Sequence, residues 1–367
     1  MNYKIKKNEI IYFIGLFFLC LINWDYFSKL IEFDSILKNF LILTTALCFV
    51  FYIFSSKYTK KELLITIAIA FIFFISGIKT KEFYLFINIF AILSSKNISS
   101  KKIIKFMFFS NLFFLILHAI TTGLGVLANS KVYYTYLDGT TRQTLNLRHP
   151  NFLAAIMFWT LAAFTYITKN KSKIMKLTIT LLCAIITYML TYSRTSMILF
   201  VLLFFVILFN NSKLINFAEK KIKVCILILI IIEIIIGFKY FTLNGEIKSI
   251  LVEINELLSQ RLYLNALALE SFNLTLLGNQ VIQLSNEVII IDSFYISCLI
   301  QYGITILIIY IYALIKYEIK NNCYKFMLII LVFIACLTER YTIFISLSFP
   351  LFFLKELIFK SKNNIKK

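Results

Sequence analysis

The sequence has little charge, little proline and little glycine. Only 15% of its 367 residues are charged, and it contains two prolines and nine glycines. Hydrophobic residues make up 60% of the chain, and the mean hydropathy is +0.86. These values exclude an ordinary soluble domain of this length. Because no internal repeat or low-complexity linker divides it, the sequence predicts one membrane domain over residues 1–367.

The signatures of nucleotide and metal chemistry are also missing. The sequence has no phosphate-binding glycine loop, no paired-histidine metal helix and no CxxC pair, so ATP-driven or zinc-dependent activity is not expected. Of the seven cysteines, six fall at predicted membrane depth and Cys323 in a predicted inner loop, which implies neither a disulfide framework nor a metal cluster. The sequence therefore predicts no metal and no cofactor.

Long apolar runs recur from one end of the chain to the other. Each is long enough to cross about 30 Å of hydrocarbon, and the runs are continuous rather than alternating, which indicates helices. The sequence predicts an all-α polytopic membrane protein with about twelve transmembrane helices. Their approximate bounds are 10–24, 36–54, 62–78, 82–95, 103–122, 151–168, 177–193, 195–210, 222–240, 291–315, 325–338 and 341–359.

The placement of charge predicts the orientation of these helices. Short cytoplasmic loops retain lysine and arginine, so the lysine-rich segments are assigned to the inner face and both termini to the cytoplasm of a bacterial cell. The net charge of +20 is then an orientation signal and does not indicate a nucleic-acid partner. All five arginines fall on the predicted outer side: Arg142, Arg148, Arg194, Arg261 and Arg340.

Arginine kept on one side suggests a task for its planar group. Bidentate binding of phosphate or carboxylate is the leading interpretation, and structural ion pairing to outer acids such as Glu339 is the alternative. Arg194 lies in the tight turn between two predicted spans, where an arginine is costly unless it is paired, snorkels or binds an anion. Glu339 and Arg340 occupy a similar turn, and ion pairing with each other or across the bundle is their alternative role.

Two predicted outer loops are long, and function is expected to concentrate there. The loop at 123–150 ends in Arg148-His149-Pro150-Asn151 at the start of a span. The loop at 241–290 contains an amphipathic helix near 247–258 that could lie on the membrane surface or cover a cavity. We expect a further helix from Arg261, ended by Gly278-Asn279.

Three titratable residues are candidates for proton transfer. His149 stands where a loop enters the membrane and could act as a general base, although a helix-entry cap explains it equally well. Asp292 begins a predicted span and could simply cap it. Glu233 is a lone carboxyl deep in a span, where a structural hydrogen bond is the more common role.

Several of these segments, in this order, resemble the Wzy-type polysaccharide polymerases and the related O-antigen ligases. The matching segments are Arg148-His149-Pro150-Asn151, Tyr192-Ser193-Arg194-Thr195-Ser196, Ser259-Gln260-Arg261-Leu262 through Leu276-Leu277-Gly278, Asp292-Ser293-Phe294-Tyr295 and Gln301-Tyr302-Gly303-Ile304. Family members often carry glycine at the positions of Arg148 and Thr195.

The resemblance implies a GT-C-like fold and an inverting, metal-independent glycosyltransferase. Its substrates would be oligosaccharide repeat units on undecaprenyl pyrophosphate, joined at the outer face into a cell-surface polysaccharide. Its partners would be membrane lipid and, potentially, a flippase and a chain-length regulator. A ligase that moves finished glycan to another acceptor shares this chemistry, and a non-enzymatic flippase or transporter is the third alternative.

The resemblance also implies roles for individual residues. His149 is the first candidate for the base that accepts the acceptor hydroxyl proton, followed by Asp292 and Glu339. The expected substrate-binding and pyrophosphate-binding residues are Arg148, Arg194, Arg261, Arg340, Asn151 and Tyr295.

Overall fold

The computed structural model describes residues 7–126, 133–135, 141–209, 213–258, 260–280, 291–318 and 323–359. The two termini, Ser259 and parts of both predicted long loops lie outside the described residues. In chain order the helices are α1 (Lys7–Phe27), α2 (Ser35–Phe54), α3 (Lys60–Thr80), α4 (Tyr84–Ser94), α5 (Ser100–Gly123), α6 (Pro150–Ile167), α7 (Lys173–Thr191), α8 (Arg194–Leu208), α9 (Lys213–Lys239), α10 (Gly245–Leu257), α11 (Arg261–Ser271), α12 (Phe294–Ser297), α13 (Ile304–Lys316), α14 (Cys323–Ala335) and α15 (Lys355–Ile358).

Six of these helices, α1, α2, α3, α5, α6 and α7, are long and apolar enough to cross a membrane. Shorter apolar helices include α4, α8, α13 and α14. With 77% of the chain helical, the prediction of a mostly helical membrane protein is confirmed. The count of twelve spans and the GT-C-like arrangement stay predictions.

The buried fraction distinguishes the central helix, α6, from the peripheral helices. In α6, 72% of the most apolar stretch is buried, against 28% in each of α2, α3 and α7. The central helix packs against α5, α7, α8 and the segment Ile345–Leu347. The peripheral helices expose large apolar side chains such as Phe51, Leu64 and Met189, which is the pattern expected where lipid is the solvent.

The predicted span at 291–315 is not one continuous helix. It consists of α12, a π-helical turn at Cys298–Tyr302, a break at Gly303 with φ of +107°, and α13. The break occurs because an extended segment lies against it: the Thr275 N–H donates to the Leu299 carbonyl at 3.0 Å, and the Asn279 N–H donates to the Gln301 carbonyl at 2.9 Å. The predicted helix running to Gly278 is therefore wrong, since α11 ends at Ser271.

The break depends on glycine, which gives a test of this arrangement. A Cβ at position 303 would lie 2.5 Å from the Leu276 carbonyl oxygen, in a backbone conformation that other residues rarely adopt. We expect Gly303→Ala to lower the free energy of unfolding by about 2–3 kcal/mol, measured as a fall in the thermal midpoint in detergent. Gly123→Ala is the control, because its Cβ would meet nothing within 4 Å. Equal midpoints for the two variants would contradict the packing described.

The last predicted span, 341–359, also departs from a regular helix. It is built from the 3₁₀ segments Arg340–Ile343, Ile345–Leu347 and Phe349–Leu354, followed by α15. Side chains supply the hydrogen bonds that a helix would make internally: Asn88 accepts from the Ile345 N–H at 2.8 Å, and Asn111 donates to the Ser346 carbonyl at 2.8 Å. Irregular backbone is tolerated at membrane depth when protein surrounds it and satisfies it in this way.

Basic residues divide between the two ends of the bundle. At one end, which we call the lysine end, Lys96 pairs with Glu62 at 2.5 Å and Lys102 with Glu9 at 2.6 Å. The opposite end, called the arginine end, contains the first residues of α6, α8, α11 and α12 and the turn after α14. Arg148, Arg194, Arg261 and Arg340 all lie there. The assignment of the arginine end to the outer face stays a prediction.

Candidate functional site

The arginine end contains a buried ion-pair cluster built around Arg261. This first residue of α11 is 8% exposed, and its Nε lies 3.3 Å from a carboxylate oxygen of Asp292, just before α12. Its Nη2 donates to Glu339 at 2.8 Å, and its Nη1 donates to the Thr195 hydroxyl at 3.3 Å and to the Thr338 carbonyl. We call Arg261, Asp292, Glu339 and Thr195 the Arg261 centre.

The contacts of Arg261 change the role expected for it. A guanidinium has five N–H donors, and the groups of the Arg261 centre together with Thr338 occupy most of them. The side chain is thus committed to holding two carboxyl groups and two helix ends together. Of the two interpretations given above for outer arginines, structural ion pairing fits Arg261 better than a direct grip on pyrophosphate.

The two carboxyl groups of the centre differ in accessibility. The Glu339 side chain is 5% exposed, whereas that of Asp292 is 32% exposed. Asp292 is not the helix cap, because the Ser293 hydroxyl caps α12 by accepting from the Ile296 N–H at 3.3 Å. Asp292 is therefore the carboxyl of this pair that an entering molecule can reach.

Burial also sets the protonation of the pair. It raises the pKa of Glu339 to about 7 against the opposing charge of Arg261, and the nearby charge of Asp292 raises it further. Burial likewise raises the pKa of Asp292, opposed by Arg261 and Arg340. Burial therefore favours the protonated form of both carboxyls, and the charge of Arg261 opposes it in each.

His149 lies beside the Arg261 centre as the N-cap of α6. Its Nδ1 accepts a hydrogen bond from the Asn151 N–H at 3.2 Å, so the neutral ring carries its proton on Nε2. Burial, followed by the charge of Arg261, lowers the pKa of His149 to about 4. The ring is neutral and weakly basic at pH 7, and it is better suited to donate a hydrogen bond than to accept a proton. The helix-cap alternative is thus the role that the geometry supports.

This capping role predicts a specific pattern of stability. Because asparagine replaces histidine as an N-cap acceptor whereas alanine cannot, His149→Ala is expected to cost about 1 kcal/mol of unfolding free energy and His149→Asn much less. Thermal unfolding of both variants in detergent measures the difference. If the two variants had the same midpoint, the side chain would not be acting as a cap.

A short hairpin covers His149. Strands β1 (Tyr133–Thr135) and β2 (Thr141–Gln143) pair antiparallel with Tyr134 opposite Arg142, and the Tyr134 ring meets the His149 ring edge-on at 4.8 Å between centroids. The charge of Arg142 also lowers the pKa of His149, which places this guanidinium close to the site. No strand was predicted here from the sequence, and Arg142 was not among the expected substrate-binding residues, although the aromatic and β-branched residues of both strands are a signal for a hairpin.

Arg340 forms a second cationic position next to the centre. Its Nη1 donates to the Gln301 amide oxygen at 3.0 Å and its Nη2 to the Tyr26 hydroxyl at 3.3 Å, both neutral groups. It is half-buried, and its charge influences Asp292. The hydrogen-bond partners of Arg261 include carboxylates, whereas those of Arg340 are neutral. The positive charge of Arg340 is therefore not balanced by its partners and can attract an anion. Gln301 was part of a matching segment, but Tyr26 was not anticipated.

Four other residues predicted for the site have different surroundings. Arg148 donates to the Ser28 carbonyl at 3.0 Å and contacts Glu32 at 3.5 Å, so it braces the end of α1. Tyr295 is completely buried and donates to the Phe333 carbonyl at 2.8 Å, which leaves no surface for a sugar and corrects its predicted binding role. Arg194 is exposed at the start of α8 beside Thr195, and Asn151 is half-buried and uses its backbone N–H on His149.

Comparison of the chain with protein families, with curated proteins and with solved structures finds no match. Within the part of the chain that the structure describes, no three His, Cys, Asp or Glu residues are grouped to hold a metal ion.

Proposed function

We propose that the chain is a Wzy-type polymerase, an inverting glycosyltransferase that joins undecaprenyl-pyrophosphate-linked oligosaccharide repeat units at the outer face of a bacterial plasma membrane. The observation that carries this proposal is the convergence of separate sequence segments. Thr195, Arg261 and Asp292 come from three of the segments that resemble this family, and they are in contact. Gln301, from a fourth segment, contacts the neighbouring Arg340.

The transfer requires a base for the acceptor. A sugar hydroxyl of the incoming repeat unit attacks the anomeric carbon of the growing chain, the new glycosidic bond forms, and the hydroxyl proton passes to a carboxylate. We assign that role to Asp292, because it is more exposed than Glu339 and is held by Arg261. Glu339 fixes Arg261, and thereby the orientation of Asp292. Asp292 replaces His149 as the first candidate, since the His149 ring caps α6 and is weakly basic.

The leaving group requires positive charge. As the bond between the anomeric carbon and the phosphate oxygen breaks, its electron pair passes to undecaprenyl pyrophosphate, whose charge must be balanced. Arg340 is the first candidate for this task, with Arg194 and Arg142 at the rim of the same end.

The surroundings of the site suit a lipid-borne substrate. Helix α10 follows α9 and contacts α11, and one of its faces exposes Ile247, Ile250 and Ile254. An exposed apolar face next to a membrane bundle favours a helix lying in the interface, as one reading of its amphipathic pattern predicted. A lipid-linked glycan could then reach Asp292 from the bilayer while its sugars stay in water.

Reconstitution tests the proposal. The full-length chain in liposomes, supplied with an undecaprenyl-pyrophosphate-linked repeat unit, should produce a ladder of lipid-linked products that differ by one unit. Transfer of preformed glycan to a second acceptor without a ladder would favour the ligase, and movement of the intact lipid across the bilayer without new bonds would favour the transporter. Either outcome would overturn the polymerase.

A further inference from the structure

A groove on the opposite half of the molecule plays no part in this chemistry. It has a volume of about 430 Å³ and lies between α3, α4, α13 and the segment leading into α15. Its walls are mostly apolar and include Ile65, Ile69, Ile92, Ile309 and Leu354. Because α3 begins and α13 ends at the lysine end, the groove belongs to that half of the bilayer.

The mouth of the groove carries charge at the level of the lysine end. Lys316, the last residue of α13, lines it, together with the exposed carboxylate of Glu318. Lys61 is exposed one helical turn before Ile65 and two before Ile69, so it lies on the same stripe of α3 as these lining residues. With two lysines and one carboxylate, the mouth of the groove has a net positive charge. An occupant with an anionic headgroup is therefore favoured.

The size of the groove limits what can fill it. A helix with its side chains is about 10–12 Å wide, so 430 Å³ would admit only about one turn of it. A single hydrocarbon chain is much narrower and fits along the groove.

We propose that this groove binds an anionic phospholipid of the bilayer, with one acyl chain between α3 and α13 and its phosphate at Lys61 and Lys316. The site is separate from the Arg261 centre and does not depend on the function proposed for it. Its ligand is a structural or regulatory lipid on the lysine end.

Lipid binding to the delipidated full-length chain tests this proposal. Native mass spectrometry with phosphatidylglycerol and phosphatidylcholine of the same acyl chains should show about tenfold tighter binding of the anionic lipid. The double variant Lys61→Ala and Lys316→Ala should lose that preference, and Glu318→Gln should increase it. The control, Lys101→Ala with Lys171→Ala, removes two exposed lysines elsewhere on the same end and should change nothing.

A further variant tests the interior of the groove. Ala313→Phe fills the groove from α13 and should abolish stoichiometric binding. Equal binding of both phospholipids, an equal loss in the control lysine pair, unchanged binding in Ala313→Phe, or binding of a polyprenyl phosphate in preference to phosphatidylglycerol would each overturn the proposal.

Discussion

Arg261→Lys is expected to lower the rate of chain extension by about 100-fold or more, even though the charge is kept. Lysine has one compact ammonium group, which cannot contact Asp292, Glu339 and Thr195 at the same time as the guanidinium does. The carboxylate of Asp292 would then lose its fixed orientation. The measurement is the yield of lipid-linked products per unit time from the reconstituted chain.

Arg148→Lys is the matched control for this substitution. Arg148 also lies at the arginine end, but its side chain is 47% exposed and contacts the residues after α1 instead of the Arg261 centre. We expect it to retain most of the activity. Equal activities for wild type and Arg261→Lys, or equal losses in both arginine variants, would show that the guanidinium of Arg261 has no specific role.

Asp292→Asn is expected to reduce chain extension by about 100- to 10,000-fold, because an amide cannot accept the hydroxyl proton. The pH profile gives a second readout. Because burial raises the pKa of Asp292, the wild-type rate should increase with rising pH over a higher range than that of an ordinary aspartate, as Asp292 loses its proton. A histidine with a pKa of about 4 would produce no such change between pH 6 and 8.

Glu339→Gln separates the two carboxyls. The amide still accepts from Arg261, but the negative charge beside Asp292 is gone, so the pKa of Asp292 falls and the rise in rate moves to lower pH. An active Asp292→Asn variant, or a Glu339→Gln profile that stays at the wild-type position, would contradict the assignment of Asp292 as the base.

The regular helices were largely predictable, because a run of apolar residues in lipid must satisfy its own backbone. The observed α1, α2, α3, α5, α6 and α7 each overlap a predicted span. What local sequence did not reveal was the irregular backbone. The break at Gly303 depends on hydrogen bonds from Thr275 and Asn279, which are distant in sequence, and the hydropathy of 291–315 is the same whether or not the helix is broken there.

The candidate site was predictable in its residues but not in its contacts. Arg261, Asp292 and Glu339 were all candidates from the sequence, and the fold brings them together. The sequence could not distinguish Arg261 from Arg148, because both are arginines at the predicted outer face. Only the fold determines which of the two is surrounded by carboxylates. Tyr295 was misjudged for a similar reason: in the single turn of α12 it points toward Phe333, and no periodic pattern exists over so short a helix.

The most direct measurement is a photo-crosslink between the arginine end and the lipid-linked substrate. A photoreactive aromatic residue replaces Tyr134, whose ring lies against His149, or, as a control, the exposed Phe54 at the lysine end. The proposed site predicts that the undecaprenyl-pyrophosphate-linked repeat unit labels the chain at position 134 and not at position 54. Labelling at 54 with none at 134 would contradict it.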